Sequence, residues 1–510
     1  MLVAAAVVVL AVLFLILRWP FGPAAVVQEL EDTSLSQVSF GAWHGTYFPR
    51  PGCVLERVVF QHNPRPGSPP LITVERIRIE GSYAGLLTRH VKLIRAEGMH
   101  VLIPPRNTEE FRVNPRSTVV IDDVVADGAV LEVARRNAEP LKFPFHSFSL
   151  NDVGAKGPAT FHAKFSNPEP PGEIAANGKF GPWNESEIGK TQVSGEYTFD
   201  HADLGDFPGI AGLLSSSGKF NGQLNRVEVH GETDTPNFTV TSSSHKVQLQ
   251  TQFQAEVNGE NGDTALHNVT ARFWQTTVSS NGSVEGKTGQ PGKTVSVELA
   301  AKDGRIQDIL RLFAQAEQSP MSGITNMRAK VSIPPGQRPF LEKVELQGDF
   351  GIDSGAFSSS TTQQGINHLS QGARGEHYDE KTDSATVLSD LKGQVILKDG
   401  TARFSNLSFS VPGASAHMQG TYNLISEKID LHGTLKTESS PANTTGGAKA
   451  VILKMLGPFF KKKAVGYEMP VKITGTYDHP SFGLDLGNSK HPKQQQKNLQ
   501  KLGLTAPNSK

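Results

Sequence analysis

Across residues 395–435 apolar side chains recur at every second position, and the alternation is broken only by turn dipeptides. Val395 and Leu397 lead to Asp399-Gly400. Ala402 and Phe404, then Leu407, Phe409 and Val411, lead to Pro412-Gly413. Ala414, Ala416, Met418, Gly420 and Tyr422 make the next run, and Ile429, Leu431, Gly433 and Leu435 another. A period of two is the signature of strands, whose successive side chains face opposite sides of a sheet. Asp-Gly and Pro-Gly supply the backbone angles that tight turns need. The block therefore predicts an antiparallel meander with one apolar and one polar face.

A phrase at the end of this block occurs twice. Val471-Lys-Ile-Thr-Gly475-Thr-Tyr-Asp478-His-Pro480-Ser-Phe482-Gly-Leu484 matches Val227-Glu-Val-His-Gly231-Glu-Thr-Asp234-Thr-Pro236-Asn-Phe238-Thr-Val240 at its Val, Gly, Asp, Pro and Phe. Each copy reads as strand, turn at Asp-x-Pro, strand. Upstream, Gly195-x-Tyr197-x-Phe199 matches Gly420-x-Tyr422-x-Leu424, so two related modules are expected. The other reading is two hairpins that converged on the same turn chemistry.

Bulk composition excludes more than it selects. Fifty basic and fifty acidic residues cancel, so net charge gives no argument for nucleic acid. Glycine (50) and proline (32) make about a sixth of the 510 residues, which suits many strands and turns without reaching low complexity. Cys53 is the single cysteine, which removes intramolecular disulfides, CxxC redox pairs and multi-cysteine zinc sites. It reads as a small apolar strand residue.

Residues 1–17 contain no charged side chain and are followed by Arg18, Trp19, Pro20 and Phe21. The stretch reads as a membrane anchor at the short end of the spanning range, with Trp19 and Phe21 at the interface. A cleaved signal peptide is the alternative, against which stand the missing basic n-region and cleavage site. Residues 54–60, 72–79, 91–96 and 99–103 read as strands, with a slip in alternation at Glu75-Arg76 as a bulge produces. A brief helical turn is expected over 82–87, and a hairpin around Asp127-Gly128 within 119–133. Between 155 and 300 strands are short and broken by glycine, asparagine or proline, as at Gly178-Lys-Phe180 and Gly218-Lys-Phe220. Residues 305–316 predict a helix with Ile306, Ile309, Leu310 and Phe313 on one face and Asp303 as its cap.

Within 448–463, Ile452, Met455, Leu456, Phe459 and Phe460 recur at helical spacing beside Lys449, Lys454 and Lys461 to Lys463. Such a basic amphipathic helix either caps the sheet or contacts a membrane surface. Beyond Asn488 the Lys- and Gln-rich tail has the composition of disorder.

Signatures of chemistry are missing. Three Gly-Lys-Thr triplets lack the glycine five residues before the Gly that a phosphate-cradling loop requires. Neither a His-Glu-x-x-His nor a Gly-x-Ser-x-Gly occurs. His377, Asp379, Glu380 and Asp383 form the densest polar cluster and read as a solvated loop; Asp122, Asp123 and Asp127 lack calcium-loop spacing. No enzymatic activity, metal or cofactor is expected.

Several phrases together resemble the AsmA-like family of membrane-anchored envelope proteins. They are Pro51-Gly52 after the anchor, Tyr83-Ala-Gly-Leu-Leu87, Ser319-Pro-Met-Ser-Gly323, Ile366-Asn-His-Leu-Ser370, Val387-Leu-Ser-Asp-Leu-Lys-Gly393, Pro412-Gly413 through Tyr422, and Gly475-Thr-Tyr-Asp-His-Pro480. The resemblance implies a mainly β chain: an N-terminal transmembrane helix, then an elongated, twisted antiparallel sheet with a long apolar groove and a few short helices. It also implies an inner-membrane tether, a periplasmic location, kinship with bridge-like lipid transfer proteins, and a role in outer-membrane biogenesis and phospholipid movement.

The chain accordingly divides into an anchor (1–23), an N-terminal β module (24–150), a middle module with the first copy of the phrase (151–300), a C-terminal AsmA-like module (301–487) and a basic tail (488–510). Phospholipid acyl chains are the expected ligand, lying against Val395, Leu397, Leu407, Phe409, Val411, Ala414, Ala416 and Met418. The membrane and envelope assembly proteins are the other expected partners. With roughly 25 strands about 4.8 Å apart, a single sheet would extend on the order of 120 Å. The alternative is a non-catalytic assembly factor for outer-membrane proteins, with an envelope hydrolase the weakest reading.

Overall fold

The computed structural model describes residues 20–34, 36–61, 69–103, 119–135, 138–154, 157–182, 184, 187–243, 245–259, 261–287, 290, 292–313, 317–360, 362–364, 366–367, 370, 388–437, 467–476 and 479–485. The apolar stretch 1–17, the His377 cluster, the candidate helix with Ile452, Met455, Leu456, Phe459 and Phe460, Asp478 and the basic tail lie outside the described residues. No helix among the described residues is long and apolar enough to cross a membrane.

The protein is mainly β, with 26 strands in one antiparallel-rich sheet and few helices. Helix α1 (Pro23–Ser34) precedes β1 (Gln37–Ser39) and β2 (Ala42–Thr46), which share one rung against β3 (Gly52–Gln61). Then come β4 (Ile72–Gly81), the single-turn helix α2 (Gly85–Thr88) and β5 (His90–Ile103), followed by β6 (Val120–Asp127), β7 (Val130–Arg135) and β8 (Ala138–Val153). The middle of the ladder runs through β9 (Ala159–Pro168), β10 (Pro171–Phe180), β11 (Gln192–Asp203), β12 (Ile210–Ala211), β13 (Leu213–Gln223), β14 (Arg226–Val240), β15 (Val247–Val257), β16 (Thr264–Phe273) and β17 (Thr276–Gly286). Next are β18 (Lys293–Arg305), α3 (Ile306–Arg311), β19 (Met321–Ile333), α4 (Phe340–Lys343) and β20 (Glu345–Phe357). The ladder ends with β21 (Ser389–Lys398), β22 (Thr401–Val411), β23 (Ala414–Asn423), β24 (Lys428–Thr437), β25 (Tyr467–Thr476) and β26 (Pro480–Leu484). Three pairs of successive strands (β1/β2, β6/β7 and β12/β13) each occupy one side of a neighbour. At roughly 4.8 Å per rung the ladder therefore extends about 100 Å across its strands, shorter than the sequence expectation.

The expected meander stands at its turns. Asp399 and Gly400 have φ +48° and +69°, the pair of positive angles that a two-residue hairpin needs, between the partners Lys398 and Thr401. Asp127-Gly128 behaves differently, and the expected hairpin there is corrected. β6 and β7 do not pair with each other. Both run parallel to β5 and antiparallel to β8 in one register, so they are one strand interrupted at Gly128, where φ is +65°.

That interruption belongs to a crease across the N-terminal strands. The slip expected at Glu75-Arg76 is present, since both are exposed between the buried Val74 and Ile77, yet at that level β4 keeps its register with both neighbours, shifting against β5 between Glu80 and Gly81. Register is kept because the neighbours distort at the same level, with Arg57 at φ +53° on β3 and Gly98 at φ +62° on β5, followed by Gly128. A bulge in each strand shifts the inward parity once. Leu55 and Val58, Val74 and Ile77, and Ala96 and Met99 consequently stay on one face, packed with Phe21, Trp43, and Val26 and Leu30 of α1.

Two further expectations are revised. The first copy of the repeated phrase makes no turn at Asp234-x-Pro236. It lies within β14, whose register shifts between Thr235 and Phe238 before Phe238 pairs with Val247 and the strand end pairs with β12. The second copy is the hairpin expected, with Gly475 opposite Pro480. Helix α3 is shorter than expected and Asp303 does not cap it. Asp303 sits at φ +53° inside a β18 bulge, with its N–H donating to Asn326 at 3.0 Å. Asp308 in the first turn instead reaches back, accepting from the Gln275 N–H (3.0 Å) and the Thr276 hydroxyl (2.8 Å).

Candidate functional site

Strand register tests directly whether the eight candidate groove residues share a surface. Val395 pairs with Phe404 and Leu397 with Ala402; after a bulge at Asn406, Leu407 pairs with Met418, Phe409 with Ala416 and Val411 with Ala414. Directly paired residues face the same side, so all eight lie on one face. Leu397, Leu407, Val411, Ala414, Ala416 and Met418 are buried, and Val395 and Phe409 half-buried. Ile306, Ile309 and Leu310 of α3, together with Ile366, belong to the same hydrophobic cluster as Leu407, Phe409, Val411, Ala414, Ala416 and Met418, while Val395 and Leu397 join a second cluster with Val331, Val344 and Ala402. The chosen residues lie in two cores of the C-terminal module.

The same face continues through the ladder. From β20 to β17 it carries Leu346, Val331, Val297 and Gly282 in one transverse row. In the middle strands it carries Phe253, Val229, Phe220, Tyr197 and Phe161, all half-buried. Over residues 157–305 the only helices among the described residues are single 3-10 turns at Ile188–Lys190 and Leu204–Asp206. This stretch of the apolar face has no longer helix of its own among the described residues.

Its surface is paved in a particular way. One row reads Phe161, Gly178, Gly195, Phe220 across β9, β10, β11 and β13; a second reads Tyr197, Gly218, Gly231, Phe253 across β11, β13, β14 and β15. Three strand spacings separate each aromatic pair, roughly 14 Å, yet the Phe161 and Phe220 ring centroids are 6.4 Å apart and stacked. The rings lie flat over the glycines. A Cβ on Gly195 would come within 2.8 Å of Phe220, and one on Gly231 within 2.8 Å of both the Tyr197 hydroxyl and the Phe253 ring. Burial pushes the Tyr197 phenol above its ordinary pKa, a hydrogen-bond contact with Ser216 (3.1 Å) offsetting only part of this, so the ring stays neutral. Sequence reading passed over these rows because Gly178-Lys-Phe180 and Gly218-Lys-Phe220 look like broken strands; the available signal was glycines two residues from aromatics in successive strands.

The opposite face of these strands is polar. An open concavity of about 820 Å³ is lined there by Asn177, Glu196, Lys219, His230, Gln252 and Asn268 among others. Farther along, carboxylates meet basic side chains: His90 with Asp122, Arg95 with Asp127 at 2.6 Å, and Lys330 with Glu298 at 3.0 Å. These pairs occupy Asp122 and Asp127, and Asp123 accepts from Asn151 at 2.6 Å. Among the described residues no group of three or more His, Cys, Asp or Glu could hold a metal ion. Cys53 is 1% exposed on β3, and burial pushes its thiol up to about 12, a contact with Trp43 notwithstanding. That thiol stays protonated and inert.

At the far edge, His432 on β24 contacts Asp485 (2.8 Å), just beyond β26, and Asp430 (2.9 Å). Burial alone would lower the His432 pKa, but hydrogen bonds to Asp485 and Asp430 and their charges outweigh it and raise the pKa above the ordinary value. A raised folded-state pKa gives stability that is complete below the ordinary imidazole value and lost as pH rises through the folded one. Hydrogen exchange of the β26 amides, corrected for intrinsic rate, should therefore show protection that is complete below the ordinary imidazole pKa and falls as pH rises above it. In His432→Gln that slope should disappear; an equal slope in both proteins would remove His432 as its source.

Set against known protein families, characterised proteins and solved structures, the chain matches none.

Proposed function

We propose that the chain is a membrane-anchored, periplasmic protein of the cell envelope that holds phospholipid by its acyl chains along the apolar face of its sheet. One observation carries this reading: a single apolar face continues in register along the ladder, and between residues 157 and 305 the described residues form no helix beyond single 3-10 turns. Large uncovered apolar surfaces call for an apolar occupant. Each methylene removed from water contributes about 0.8 kcal/mol, so an acyl chain is retained when only part of its length is shielded. Headgroups remain in water, and no reactive residue is required. The motif resemblance supplies the compartment and the inner-membrane tether.

The assembly-factor alternative draws support from a different observation, the sealed core around Leu407, Ala416 and Met418. A photoreactive phenylalanine analogue separates the two readings. Placed at Phe220 or Phe253 in the full-length protein, it is expected to form lipid adducts in cells, while at Lys219 or Gln252, on the polar face, it is not. Adducts equally frequent at all four positions, or confined to protein, would reject the groove.

A further inference from the structure

Three large aromatic side chains stand exposed together at one corner of the sheet. Tyr47 (61% exposed) and Phe48 (84%) follow β2, and Tyr83 (52%) lies between β4 and α2. They form one patch, because the Tyr83 hydroxyl donates to the Tyr47 carbonyl. Singly scattered exposed hydrophobics are ordinary, but a cluster marks a contact surface. Arg50 and Arg78 lie 3.1 and 4.0 Å from the single carboxylate of Glu80, and the exposed Arg89 follows the single-turn helix α2 that Tyr83 precedes.

The chain enters the fold at this same corner. Phe21 is buried; its carbonyl accepts from the Trp43 indole at 3.2 Å, and its ring lies where a Cβ on Gly81 would come within 2.6 Å. Gly81 in turn donates to the Pro51 carbonyl at 2.7 Å, beside Arg50. Leu17 closes the charge-free stretch and is four residues from Phe21. Fully extended chain covers at most about 3.5 Å per residue, so four residues reach no farther than about 14 Å.

We infer that Tyr47, Phe48 and Tyr83 form a foot seated in the interface of the bilayer that holds residues 1–17, with Arg50, Arg78 and Arg89 against anionic headgroups. The inference rests on the anchor in the proposed function and adds its docking surface. Aromatic rings with polar rims favour the headgroup level, and juxtamembrane arginines gain from negative surface potential. The foot fixes the sheet's orientation: β3 and β4, whose inner residues begin the apolar face, start at the membrane surface rather than swinging on a tether.

The test uses the full-length chain carrying Cys53→Ala and a fluorophore at Phe48→Cys, reconstituted in phosphatidylethanolamine/phosphatidylglycerol vesicles, with a Lys219→Cys label as the aqueous control. Shallow spin-labelled lipid should quench the label at 48 severalfold more than the label at 219. If carbonate leaves the protein in the vesicles but both labels are quenched alike, the anchor stands and the foot is rejected. If carbonate strips the protein, the anchor reading fails, and quenching before extraction decides the foot alone: selective quenching at 48 supports it, equal quenching overturns it.

Discussion

Replacing Phe220 and Phe253 together by aspartate is expected to strip lipid from the middle strands while leaving the protein folded. Both rings belong to the glycine-seated rows and are half-buried on the apolar face. Full burial of a phenylalanine is worth about 1.5–3 kcal/mol, so each half-buried ring that an acyl chain covers contributes on the order of 1 kcal/mol to the lipid. Two carboxylates then have to be dehydrated before an acyl chain can lie across them, which adds a cost of about 1–3 kcal/mol each. Retention at this site should fall by roughly a hundredfold or more. The fold loses less, about 1–2 kcal/mol per position, because these side chains already meet solvent on one side. The measurement is phospholipid per protein by mass spectrometry after purification of the full-length chain, alongside its circular dichroism. The control is Gln252→Asp on the polar face, expected to match the unaltered protein. A folded double variant with its lipid intact would refute the acyl-chain role of these rings.

What the sequence revealed, and what it concealed, follows from the range of the interactions involved. Strands β21 to β24 were legible because alternation and turn residues are local: the residues that set the period also face the core. The same Asp-Gly dipeptide turned the chain at Asp399-Gly400 but not at Asp127-Gly128. The dipeptide supplies only a positive φ. Whether the chain then reverses or bulges depends on the neighbouring strands, and β5 and β8 hold both sides of β6 and β7. Asp234-x-Pro236 was misleading for the same reason, since β12 and β15 take up the strand beyond the bulge.

Cover is the least local property of all. Alternation placed Leu407, Ala416 and Met418 on the apolar face but could not show that Ile306, Ile309 and Leu310 of α3, about a hundred residues upstream, join their cluster. The lipid-facing candidates therefore move from the C-terminal strands, where periodicity is cleanest, to the middle strands, where glycines blur it.

Ala416→Asp turns that relocation into a measurement. Ala416 is 1% exposed, in a hydrophobic cluster that includes Leu407, Met418 and Leu435. An aspartate there must either ionise without a partner or take up a proton, and its extra atoms must displace close-packed neighbours. Together these cost on the order of 4–5 kcal/mol, a large share of the roughly 5–15 kcal/mol by which domains are stable. The expected result is loss of cooperative melting and early protease cleavage within β21 to β24. If Ala416 instead lined an open groove, the carboxylate would stay in water, the fold would survive and only lipid would be lost. Normal melting with reduced lipid would return the site to the C-terminal strands. Early cleavage there, set beside a folded but lipid-free Phe220/Phe253 double variant, would assign structural cover to the C-terminal strands and lipid contact to the middle ones.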